Sequence, residues 1–136
     1  MKLSLFLILA LALGCAIASS ARATEIDFTK PITQLDGKPL LDAAGKPVDT
    51  TLAMVAETAL LASYQDEQNL SADDKIKRFG IAKKISDAAA NQLQAHGKVE
   101  LSVEELAMLK KLIAKAYNPL ITGRAFEILD PASMPK

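Results

Sequence analysis

The chain reads as a mostly helical α+β protein, with a short N-terminal β-hairpin or meander followed by about four α-helices. Three observations predict this. Gly, Pro and Asp crowd residues 26–48; apolar residues recur at helical spacing from 52 to 129; and each helical stretch opens on a Ser, Thr, Asp or Asn able to cap it.

Ahead of that domain, Met1 and Lys2 form a short positive region, Leu3 to Leu13 is almost unbroken apolar chain, and Ala21-Arg22-Ala23 has the A-x-A spacing of a leader cleavage site. The run is shorter than the roughly 20 residues a membrane-crossing helix needs. Residues 1–23 are therefore expected to be a signal peptide, with an uncleaved amphipathic or membrane helix as the alternative. Residues 24–130 are expected to be a single domain, and 131–136 a flexible tail. Cys15 is a candidate lipidation site. Leu11 to Gly14 ahead of it look something like a bacterial lipoprotein site, with Ala12 and Leu13 in the reverse of the usual order. The expected location is the periplasm or the exterior, or the membrane surface if Cys15 carries lipid.

Cleavage after Ala23 leaves 113 residues with no Cys, and 14 basic against 16 acidic side chains, a net charge near −2. Disulfides are then excluded and no global charge draws the domain to nucleic acid. With no Trp, and only four Phe and two Tyr in the whole chain, the core must come mostly from Leu, Ile, Val and Ala.

The first element is the turn-rich stretch. Asp36-Gly37-Lys38-Pro39 is echoed by Ala44-Gly45-Lys46-Pro47. Asp-Gly predicts a type I′ hairpin turn with both central residues at positive φ, and 42–45 a second reversal. Pro31, Pro39 and Pro47 each lack a backbone donor, so the strands must be short or edge-like.

Asp49, Thr50 and Thr51 offer caps for a first helix to about Ser63, with Leu52, Val55, Ala56, Ala59 and Leu60 on its apolar face. Ser71 and Asp74 resemble a capping box with a shortened acid. They open a second helix from Ala72 to about Gln94, whose stripe is expected to run Ile76, Phe79, Ile81, Ile85, Ala88, Ala89 and Leu93, shifting register near Gly80. His96-Gly97 is expected to end it and 99–101 to add a strand. Ser102 and Glu105 form a full capping box for a third helix with Leu106, Leu109, Ile113, Ala116 and Tyr117 inside. Asn118 and Pro119 cap and start a fourth, carrying Ile121, Ala125, Phe126 and Leu129.

Ile26-Asp27-Phe28, Leu35 to Pro39, Gly45 to Pro47, Lys75 to Phe79, Val99 to Glu105 and Lys115 to Leu120 together resemble a group of small uncharacterised bacteriophage and prophage proteins. The likeness covers most of 26–129. It implies a small α+β domain without an established activity and carries over no functional residue. Members of that group begin near the hairpin, so residues 1–23 depart from it.

No catalytic or metal constellation emerges. The lone His96 lacks a Cys partner and reads as a helix-end cap, and Ser102 is explained by capping. One His without a mature Cys excludes the common zinc sets. Asp66-Glu67 with Asn69 lacks the ligand spacing of a calcium loop, and neither Gly-Lys-Pro turn has phosphate-loop spacing. Lys75, Lys77, Arg78, Lys83 and Lys84 form the one basic cluster. It reads first as a solvated face supported by pairs such as Asp73 with Lys77 and Asp74 with Arg78, and second as a site for an anionic partner.

The expected role is an exported, non-catalytic, protein-binding domain without cofactors, possessing no nucleic-acid site and meeting the membrane only through its leader or a lipid. Its partner is expected to be another envelope or extracellular protein, and the phage likeness suggests a phage- or prophage-derived envelope factor. The candidate contact residues are Asp36, Gly37 and Lys38 at the hairpin tip and the basic cluster of the second helix. The alternatives are a periplasmic enzyme or enzyme inhibitor, a lipoprotein tethered through Cys15, and a module that oligomerises through its last two helices.

Overall fold

The computed structural model describes residues 22–91 and 96–136. The leader through residue 21, with Cys15, lies outside the described residues, as do positions 92–95, where the second helix was expected to end.

The mostly helical α+β class is observed. Strand β1 is Thr24–Asp27, β2 Leu40–Leu41 and β3 Pro47–Val48; helix α1 is Leu52–Leu61 and α2 Ala72–Ala90; β4 is Lys98–Leu101; α3 is Val103–Ala116 and α4 Pro119–Leu129. Single 3-10 turns follow α1 at Gln65–Glu67 and α4 at Pro131–Ser133. The latter falls in the segment expected as a tail, where the Ser133 hydroxyl donates to Asp130 O at 2.9 Å.

The expected meander is corrected in its pairing. β1 ignores the neighbouring turns and pairs antiparallel with β4, Ile26 opposite Val99 and Glu25 opposite Glu100. Alternation explains the choice, because Ile26, Val99 and Leu101 are buried while Glu25, Lys98 and Glu100 face water.

Residues 33–48 form two successive hairpins of the same geometry. Gly37 N donates to Gln34 O at 3.0 Å and Gln34 N to Lys38 O at 2.8 Å; Gly45 N donates to Asp42 O at 3.0 Å and Asp42 N to Lys46 O at 2.9 Å. Gly37 and Gly45 have φ of +82° and +76°, whereas Asp36 does not reach positive φ. Each turn is thus a type I turn closed by a left-handed Gly, a three-residue loop in place of the expected type I′. Asp36, third in its turn, and Asp42, first in its turn, each accept a backbone N–H two residues ahead, at 3.1 and 2.8 Å.

Helix α1 is the central element. Leu52, Ala53, Val55, Ala56, Ala59 and Leu60 are buried, matching the expected face with Ala53 added. It packs against both α2 and α3, and three Ala allow that close approach. Phe28 and Ile32, both fully buried, approach α1 through backbone bonds such as Ala53 N to Phe28 O at 2.9 Å.

The stripe of α2 is corrected. Ile76 and Phe79 are 69% and 59% exposed, and Arg78, Ile81, Ala82, Ile85 and Ala88 point inward. In α3 Leu109, Leu112 and Ile113 are buried, while Ala116 is exposed. In α4 Ala125 and Leu129 are buried, and Ile121 and Phe126 pack partly against the core. The buried residues of the last two helices thus belong to this core.

Asn118 caps α4 by accepting Ile121 N at 3.1 Å, and Ser102 and Glu105 complete their reciprocal box at 3.1 and 2.9 Å. At α2 only half a box forms. Asp74 N donates to Ser71 Oγ at 3.1 Å, and the shorter Asp74 carboxylate accepts a hydrogen bond from the Ser71 hydroxyl at 2.7 Å instead of reaching the backbone.

His96 is not a helix cap. Asn91 caps α2, and His96 and Gly97, at φ of +49° and +70°, form a turn into β4. The left-handed backbone at Gly97 carries its carbonyl to Phe28 N at 2.9 Å.

Candidate functional site

Where α1 ends and α2 begins, the chain leaves a cleft of about 380 Å³. Leu60, Leu61 and Ala62 form one wall, Lys75, Arg78 and Phe79 the other, and Tyr64, Glu67, Gln68 and Leu70 the floor and rim.

Tyr64 lines the cleft. Its hydroxyl donates to Ala59 O at 2.7 Å, satisfying a carbonyl in the last turn of α1, with Leu112 O of α3 at 3.4 Å. Burial raises the phenol pKa. Lys115 Nζ and Arg78 Cζ lie 4.8 and 5.9 Å from the ring centroid, within cation–π range.

Both cations converge on Glu67. Arg78 Nη2 donates to Oε2 at 2.7 Å and Lys115 Nζ to Oε1 at 2.9 Å. Lys115 also reaches Asp66 Oδ2 at 2.7 Å. The Lys115 bond and then the Arg78 bond hold the Glu67 carboxyl below its ordinary value, Lys115 does the same to Asp66, and these two acids raise Lys115 in return. The acidic pair considered as a calcium loop is thus occupied by the protein's own cations. Arg78 Nε is buried without a hydrogen-bond partner among the described residues.

The basic cluster does not act as one surface. Arg78, expected on the exposed face, is 9% exposed and pairs with Glu67 instead of Asp74. Lys83 pairs with Asp87 at 2.6 Å, and Lys84 bonds Glu100 O at 2.9 Å and Glu105 at 3.3 Å. Lys75 and Lys77 remain exposed, their ammonium groups with no ion-pair or hydrogen-bond partner among the described residues. Asp36, Gly37 and Lys38 lie together at the first hairpin tip, where Lys38 pairs with Asp36 at 3.0 Å beside the 83% exposed Leu35. That hairpin is held to α4 by Arg124 Nη2 donating to Gln34 O at 2.7 Å.

Sequence reasoning missed the apolar mouth of the cleft. Leu61 and Phe79 in its lining are each more than half exposed, as is Ile76 on the outer side of α2, and helical spacing had placed Ile76 and Phe79 in the core. His96, Ser102 and the Asp66–Glu67 pair lie on different elements, and no described cavity brings Ser102 or His96 to the acids. Among the described residues no three His, Cys, Asp or Glu side chains are grouped to hold a metal, and no helix is long and apolar enough to cross a membrane.

No family model, curated protein or solved structure matches this chain.

Proposed function

We propose that the chain is an exported, non-catalytic domain that binds another protein through the face around the α1–α2 cleft. The observation that carries this reading is the exposure of Leu61 and Phe79 in the lining of a cleft whose buried charges, Arg78 and Glu67, are already paired, with Ile76 exposed on the same helix as Phe79. Apolar side chains grouped this way favour a partner that covers them, and the free ammonium groups of Lys75 and Lys77 supply a polar rim. Export rests on the leader sequence.

A photo-crosslinking residue at Phe79, in the full chain expressed in a bacterial host, tests the surface. A control at Leu35 tests the second surface, the hairpin tip. Discrete protein adducts at position 79 that disappear when the leader is deleted support the reading. Adducts from position 35 alone move the binding surface to the hairpin, and none from either overturns a protein-binding role. The intact mass of the recovered protein locates it: a soluble species beginning at Thr24 agrees with a free exported domain, and an acylated species beginning at Cys15 makes it a tethered lipoprotein.

A further inference from the structure

The outer side of α2, opposite its buried stripe, presents Asp73, Ile76, Gly80 and Lys83 at helical spacing, with Phe79 on the flank beside the cleft. Three features of this side are unexplained by the fold. Ile76 and Phe79 are large, apolar and uncovered. Gly80 weakens the helix interior, yet a Cβ built there meets nothing within 4 Å, so nothing inside the molecule requires its smallness. The charges also differ along this side, negative at Asp73 near the N-terminal end and positive at Lys83, whose ion pair with Asp87 closes the far end.

We propose that this side of α2 docks against the same side of a second copy of the chain, antiparallel, about a two-fold axis level with Arg78. That register is self-complementary. Ile76 of each copy comes level with Gly80 of the other, the missing Cβ leaving room for the larger side chain. The two Phe79 rings meet on the same flank of the axis, and Asp73 of each copy lies level with Lys83 of the other. Shifting the axis by even one residue breaks the match of Ile76 with Gly80. Lys83 is free to exchange, because its bond to Asp87 joins two side chains that are 60% and 66% exposed and such pairs hold weakly. Arg78 lies at the level of the axis but faces inward to Glu67, so no like charges are forced together there.

The inference rests on reading the Phe79 face as a docking surface and names its occupant. A single pair of helix faces is smaller than a standard interface, so the complex is weak and reversible. The test is sedimentation equilibrium of the protein purified from the envelope of a host expressing the full chain, over about 5 to 500 µM, the range a face of this size calls for. A monomer–dimer equilibrium is expected. Gly80→Leu introduces a good helix former while filling the gap, and Phe79→Glu introduces like charge; each is expected to weaken association by about tenfold or more with far-ultraviolet circular dichroism showing no loss of helix. Asp73→Lys is expected to weaken it and Asp73→Lys with Lys83→Asp to restore it. A wild-type monomer throughout the range overturns the proposal, as does a dimer indifferent to Gly80→Leu and Phe79→Glu. The two readings fail separately: adducts of position 79 with a different protein alone preserve the docking face while removing the second copy as its occupant, and the absence of adducts from positions 79 and 35 removes the wider reading.

Discussion

Arg78 donates to Glu67 across 2.7 Å, and the side chains of the two residues are only 10% and 16% exposed. The Arg stem occupies a place on the buried stripe of α2 that an apolar residue would ordinarily hold. Removing one partner of such a pair strands the other. Glu67→Ala leaves the guanidinium unpaired and is expected to cost about 3 to 5 kcal/mol, whereas Arg78→Met with Glu67→Met is expected to be near neutral. Urea unfolding of the two single variants and the double variant measures this, and additive costs would show the pair to be uncoupled.

The same carboxylate makes stability depend on acid. Glu67 is held below its ordinary 4.5 by its bonds from Lys115 and then Arg78, and Asp66 below 3.8 by Lys115. The unfolded chain therefore binds protons at these groups more readily than the folded one. Their stabilisation is complete above the ordinary carboxylate values and is lost as pH falls through the lowered folded ones. Glu67→Gln keeps the shape and removes one titration. It is expected to be less stable at pH 7 but to lose less on going from pH 5 to pH 2, as read by thermal melts across that window.

Two glycines give opposite expectations. A Cβ on Gly97 would run into the Thr29 side chain and come within 3.3 Å of Asp27 Oδ1, and the residue has φ of +70°. Asp27 is itself tied down by the Thr29 hydroxyl at 2.6 Å, which lowers its pKa, so neither neighbour yields readily. Gly97→Ala is expected to cost about 2 kcal/mol or more. Gly80→Ala, meeting nothing, is expected to gain about 0.5 to 1 kcal/mol when measured on the monomer. Equal melting shifts for the two would contradict this account of Gly97.

The elements were legible where their signal is local. Asn118-Pro119 and Ser102-Glu105 carry cap geometry within four residues, and both motifs are present as read. The Gly37 and Gly45 reversals were equally local, although the turn type was not, because Asp36 can satisfy backbone N–H groups without positive φ. The β1–β4 pairing spans more than seventy residues, and alternation in four-residue strands carries no pointer to a partner. The cleft was misread for a different reason. A periodic pattern rewards apolar residues, so Ile76 and Phe79 were placed inside and Arg78 outside, and Glu67, the residue that makes Arg78 tolerable inside, lies in the preceding loop. Only the three-dimensional approach of Glu67, Lys115 and Tyr64 reverses that assignment.

The two serine caps provide a comparison within one molecule. Ser102 accepts Glu105 N while the Glu105 carboxylate accepts Ser102 N at 2.9 Å, so two otherwise unpaired donors of α3 are satisfied together. Ser71 accepts Asp74 N, but Asp74 is one methylene too short to return the bond and takes the hydroxyl instead. Ser102→Ala is therefore expected to cost about 1 to 2 kcal/mol and Ser71→Ala about 0.5 to 1 kcal/mol. Asp74→Glu supplies the missing methylene and is expected to raise stability by a few tenths of a kcal/mol, about 1 to 2 °C in melting temperature for a domain of this size. A fall in stability on Asp74→Glu would mean that the hydroxyl–carboxylate bond at Ser71 is worth more than the reciprocal cap it replaces.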